Sequence, residues 1–135
     1  MNVAWENKIN LTAALRMAAR LDLHEGVDNH FSLMTSDKPF RFLLNPNRRH
    51  WSQLCASELV EVDESGKPIN DSEPPERTAF FIHSRIHMAC PQAKCILHTH
   101  MRYATAVTMI EGGRLEPVVQ SALKFFGQIA YMDDF

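Results

Sequence analysis

Residues 76–90, ERTAFFIHSRIHMAC, lie between Pro74–Pro75 and Pro91. Proline is tolerated at a helix start and stops a helix when it follows. The segment therefore predicts a helix, and Ala79, Ile82, Ile86 and Ala89 mark its expected apolar stripe. Pro91, Gln92 and Ala93 then turn the chain into AKCILH, an apolar run expected as a short buried strand. A bounded helix that turns at once into a strand commits this part of the chain to a layered α/β architecture.

The flanking sequence agrees. Residues 6–22 have Leu11, Ala14, Leu15, Ala18 and Leu21 at helical spacing, with Arg16 and Arg20 off that face and Gly26 as the expected stop. HFSLM and FRFLLN flank TSDKP and predict two strands joined by a turn. NPNRRH reads as a loop, ELVEVD as a strand and ESGKPINDSEPP as a long polar turn. A helix is expected over 101–110, EGGRLEP reads as a turn, and VVQSALKFFGQIAY fits helix or strand equally.

The chain has 135 residues, enough for one domain with a core. Its net charge of -2 does not favour nucleic acid or an anionic membrane as a partner. The start MNVAWENKIN lacks the pattern of a signal peptide, and no apolar run reaches the roughly 20 residues of a membrane helix. Cys55, Cys90 and Cys95 form no C-x-x-C pair and read as reduced thiols of a cytoplasmic protein. Four aromatic residues fall in the last eleven, which reads as a chain cut inside a domain.

The apolar run ends in His98-Thr99-His100. On a strand these two histidines share a face, so both rings can reach one ion. Spacing alone leaves open a pair of ordinary surface or core histidines. A catalytic zinc site also takes three protein ligands and an open position. His83 and His87 share a face of the predicted helix, but without the Glu of a zinc protease they read as a pair packing their rings. His24, His30 and His50 lie in or near loops without diagnostic spacing.

Taken in order, these segments resemble the class II aldolase/adducin family. TAFFIHSRIHMACPQAKCILHTHMRYATAV, residues 78–107, is similar to its central signature of helix, Pro-x-Ala turn, apolar strand and H-x-H. GVDNHFSLM at 26–34 resembles its early Gly-x-x-Asn-His-x-Ser loop, and LLNPNRRHWSQLCASELVEVD at 43–63 its next segment. The resemblance covers roughly residues 8–135. It implies a three-layer α/β/α domain on a mixed, largely antiparallel sheet, of which residues 1–135 are the N-terminal portion, incomplete at the C-terminus. It further implies sugar-phosphate aldolases and epimerases that use Zn²⁺ or a similar divalent ion, with His98 and His100 as ligands and a third His beyond this chain. Homo-oligomers and a small hydroxy-carbonyl substrate are implied as well.

One departure matters. The family's catalytic Glu aligns with Ala79, and Glu76, three residues earlier, is the substitute available. The departure resembles the adducin-like branch, in which the domain persists without aldolase activity. The resemblance places substrate-binding groups at Asn29, His30, Ser32 and Asn47, with Arg48 and Arg49 nearby. Two readings follow. One is a metal-dependent lyase or epimerase. The other is a non-catalytic adducin-like metal-binding or protein-interaction module. A metal hydrolase of another fold, using His83 and His87 with the H-x-H, ranks third.

Overall fold

The computed structural model describes residues 2–132. The chain forms two compact units, Met1–Met101 and Arg102–Phe135.

In the first unit, helix α1 spans Val3–Arg20. Asn2 caps it by accepting the Ala4 N–H at 3.0 Å. The expected stop at Gly26 is not used. The helix ends earlier because Asp22 takes a left-handed conformation (φ 56°). Its N–H donates to Ala19 O, and the Leu23 N–H reaches back to Ala18 O at 3.0 Å. That 6→1 bond closes the helix at Asp22, four residues before the glycine.

Strands β1 (His30–Asp37) and β2 (Phe40–Leu44) form the expected hairpin. After two 3₁₀ turns, Trp51–Gln53 and Ala56–Glu58, β3 runs over Val60–Asp63. Helix α2 spans Arg77–Ala89 and β4 spans Cys95–His98. The sheet order is β3-β2-β1-β4, and every pairing is antiparallel.

Alternation along the strands divides the core between the two sheet faces. On one face Phe31 and Leu43 meet Leu11, Leu15 and Ala18 of α1, closed by Trp51, Leu54 and Leu59. Each large apolar side chain buried there contributes about 1.5–3 kcal/mol. On the other face Phe42, Leu44, Val60 and Val62 meet Phe80 of α2. Helix, sheet and helix thus stack as the three layers that the family resemblance implies.

Two expectations change. The inward face of α2 is Ala79, His83, Ser84 and His87, while Ile82 and Ile86 are 40% and 38% exposed. The β1 surface beneath α2 carries His30 and Ser32, so it takes polar partners from the helix. Nor is β4 a buried strand. It lies at the end of the strand order, paired on one side among the described residues, and Leu97 is 58% exposed.

In the second unit, α3 spans Arg102–Thr108 and a 3₁₀ turn spans Ala122–Phe125. The latter is the regular element within 118–131, the stretch that fitted helix or strand. The Arg114 guanidinium lies 4.0 Å from the Tyr131 ring centroid. The end of the aromatic tail, residues 133–135, lies outside the described residues. The thiols of Cys55, Cys90 and Cys95 are free. Among the described residues no helix is long and apolar enough to cross a membrane.

Candidate metal centre and its histidine cluster

Antiparallel pairing of β1 and β4 puts His30 directly opposite His98. Cross-strand neighbours share a face. Their rings stack at 5.3 Å, with the two Nδ1 atoms 3.2 Å apart. His100 lies just past the end of β4, and its Nε2 stands 3.3 Å from His98 Nε2. Two nitrogens on one tetrahedral ion at about 2.0–2.1 Å stand about 3.3–3.4 Å apart. The pair therefore has the spacing of two ligands of a single ion. Among the described residues no group of three or more His, Cys, Asp or Glu is arranged to hold one.

The loop after α1 holds His100 in place. The His100 backbone N–H donates to Asn29 Oδ1 at 3.0 Å. Asn29 Nδ2 donates to the Glu25 carbonyl at 2.8 Å. The Glu25 carboxylate lies 2.8 Å from His100 Nδ1. Asn45 ties the same loop to β2, accepting from Phe31 N–H and donating to Asn29 O.

On the sheet face toward α2, Ser32 Oγ contacts His83 Nδ1 at 2.6 Å and His87 Nε2 at 2.8 Å. The proton order in this chain follows from its far end. The Ala93 carbonyl can only accept, so His87 Nδ1–H donates to it at 2.9 Å. The Nε2 of neutral His87 is then bare and accepts the Ser32 hydroxyl proton. Ser32 oxygen in turn accepts from His83 Nδ1–H. His83 Nε2 is left as a bare, buried nitrogen without a hydrogen-bond partner among the described residues.

The electrostatics agree with neutral rings. Burial, reinforced by His30, His87 and His98, lowers the His83 pKa to about 3. Burial also lowers His87, opposed by its bond to Ala93 and aided by Lys94. His30 is lowered by burial and then by His98, and His98 by burial and then by His100.

The structure places the other anticipated residues as follows. Asn29 and Ser32 are wholly buried and His30 nearly so. Their side chains engage the protein itself. Asn47 is exposed, beside exposed Arg48 and Arg49. Arg48 is in the left-handed region (φ 56°), and Arg49 pairs with Glu58 at 3.0 Å. Glu76 caps α2, its carboxylate accepting the Ala79 N–H at 2.7 Å. Burial pushes its pKa up, but the N–H groups of Thr78 and Ala79 outweigh this and hold it below the usual value. Glu76→Ala is expected to cost about 1 kcal/mol of unfolding free energy as a lost cap, measured by urea denaturation.

His83 and His87 turn their rings inward from one face of α2 and are wholly buried, in keeping with a packed pair. Each contacts Ser32, and among the described residues they form no group of three or more metal ligands with the H-x-H. Sequence reasoning missed Glu25, which has no motif spacing to His100, and missed the role of Ser32 as the joint between two histidines. Neither left a local signal.

Residues 9–135 match the model of the class II aldolase and adducin N-terminal domain. The chain is 31% identical over 126 residues to adducin-related protein 1 of Caenorhabditis elegans, covering 91% of this chain and 17% of that protein. The crystal structure of an aldolase II superfamily protein from Pseudomonas syringae superposes with a TM-score of 0.89 at 32% identity. That match covers 98% of this chain and 53% of the other. An L-fuculose 1-phosphate aldolase from Glaciozyma antarctica gives a TM-score of 0.83 at 28% identity, covering 94% of this chain and 52% of that one. The chain thus spans about half the length of these solved relatives. Motif order, sheet topology and these likenesses agree that the chain belongs to the class II aldolase and adducin N-terminal domain family.

Proposed function

We propose that this chain supplies two ligands, His98 and His100, to the divalent-metal site of a lyase or epimerase. The substrate class is a small hydroxy-carbonyl compound of the sugar-phosphate type. The observation that carries the reading is the 3.3 Å separation of the two Nε2 atoms. Two neutral imidazoles suit Zn²⁺ or a similar ion, with the remaining ligand from outside this chain. When bound, such a cation favours the enolate left by cleavage beside a carbonyl, by placing positive charge where negative charge develops.

The chain's own residues take the other roles. Glu76 is the proposed proton carrier. Its N–H partners favour the ionised form, which is the form able to accept a proton, and its charge is felt at His30 beside His98. To act it must release the Ala79 N–H. Asn47, with Arg48 and Arg49, is the exposed donor group proposed to meet the anionic end of the substrate. Asn29, just before β1, and His30 and Ser32 within β1 are the further groups proposed on the substrate side. A homo-oligomer in the cytoplasm is proposed from the family. The exposed apolar face of α2, with Phe81, Ile82, Ile86 and Met88, suits association.

The second reading, a non-catalytic adducin-like metal-binding or interaction module, is favoured by Ala79. It is 2% exposed at the position where the family's enzymes carry Glu. Metal analysis tests the first reading. Zn²⁺-loaded protein should retain bound metal after desalting, and the His98→Ala, His100→Ala double variant should lose at least nine-tenths of it. A double variant with undiminished metal content would remove these residues as ligands.

A further inference from the structure

We infer that Glu25 is a positioning residue for the metal ligand His100, setting which ring nitrogen is bare. The inference rests on the metal reading above and adds a residue to it. A carboxylate only accepts hydrogen bonds, so the 2.8 Å contact places the His100 proton on Nδ1. A neutral ring protonated at Nδ1 has its lone pair on Nε2, the atom that faces His98 Nε2 at 3.3 Å. Metal-bound histidines commonly donate their second N–H to a carboxylate, which orients the ring and raises its basicity. Here the carboxylate is in place opposite the ligating nitrogen.

The surrounding geometry shows that this arrangement is held rather than incidental. Two bonds join the segment Glu25–Asn29 to His100, and a third braces the segment itself. They are Glu25 carboxylate to ring, Asn29 side chain to His100 backbone, and Asn29 side chain to Glu25 backbone. The Asn29 links fix the backbone, and Asn29 is wholly buried. The Glu25 link fixes the ring. His98 has the matching contact on its own far nitrogen, His30 Nδ1 at 3.2 Å. Both ligands are thus gripped at Nδ1 with Nε2 turned inward. The Glu25 side chain is 67% exposed, so its charge contributes little to folding by itself. Its effect lies in the tautomer it selects.

Glu25→Ala isolates the carboxylate, because the backbone carbonyl that Asn29 uses remains. Two readouts apply to the whole chain. The first is the long-range ¹⁵N–¹H spectrum of the metal-free protein. His100 should show a single Nδ1–H tautomer in the parent and a mixture rich in Nε2–H in Glu25→Ala. The second is Co²⁺ binding followed by its visible absorption, where the variant should bind about 10–100-fold more weakly. Glu25→Gln keeps an acceptor oxygen and should restore the tautomer and part of the affinity. An unchanged His100 tautomer in Glu25→Ala would overturn the inference, as would an unchanged Co²⁺ affinity. If the parent binds no Co²⁺, the metal reading fails and with it the role of Glu25 toward an ion. The spectrum would then still decide whether Glu25 sets the tautomer.

Discussion

Replacing Ser32 by alanine is expected to lower the unfolding free energy by about 2–5 kcal/mol. The hydroxyl bridges two buried rings, His83 Nδ1 at 2.6 Å and His87 Nε2 at 2.8 Å. Both histidines are 0% exposed, so water cannot replace the lost partner without opening the sheet–helix interface. Leaving one buried donor or acceptor unpaired costs about 1–3 kcal/mol, and here a donor and an acceptor are stranded together. The effect should appear as a lower urea midpoint at unchanged slope. Adding His83→Phe and His87→Leu to Ser32→Ala should recover much of the loss, because the stranded polar groups then disappear. A loss below about 1 kcal/mol in Ser32→Ala would mean that this bridge is not what seats α2 on β1.

Mild acid is the second large effect. Burial lowers His83 to about 3 and lowers His87 as well, so the fold disfavours the charged form of both rings. In the unfolded chain an imidazole takes up a proton near about 6.5. Below that pH the unfolded state binds more protons than the folded state, and stability falls with pH. Each such histidine contributes on the order of 1 kcal/mol per pH unit. For His83 the loss continues from about 6.5 until its folded form titrates at about 3. The stability of these groups is thus fully present above the unfolded value and is lost toward acid. Urea unfolding at pH 7 and pH 5 should differ by a few kcal/mol, and His83→Phe should shrink the difference. Equal stability at the two pH values would show that the rings are not held neutral by the fold.

The two effects bear on function because the same sheet face carries both the folding network and the candidate metal pair. His30 is the link. It stacks on His98 at 5.3 Å and meets His83 edge-on at 6.0 Å. Loosening α2 from Ser32 would therefore also loosen the wall behind His98. Metal retention by Ser32→Ala offers a direct measure of that coupling.

Much of the fold was legible in local signals. Pro74, Pro75 and Pro91 bound α2, the TSDKP turn joins β1 to β2, and the apolar run before His98 is β4. The spacing of His98 and His100 was legible too, but His100 lies past the end of β4, so strand alternation does not by itself place its ring. Such signals act within a few residues, so they survive without knowledge of the partner. Family membership followed from their order along the chain.

The tertiary structure alone decided the rest. Hydrophobic periodicity turned Ile82 and Ile86 inward, but the strand surface beneath is polar and draws His83 and His87 instead. Glu25 meets His100 across 75 positions, and His30 meets His98 across 68. No local propensity encodes either contact. They exist because β1 pairs antiparallel with β4 in one register, and a shift by one residue would turn His30 to the opposite face. The sequence by itself determined where the imidazoles fall along the chain. The register determined which nitrogens face each other and what holds them there.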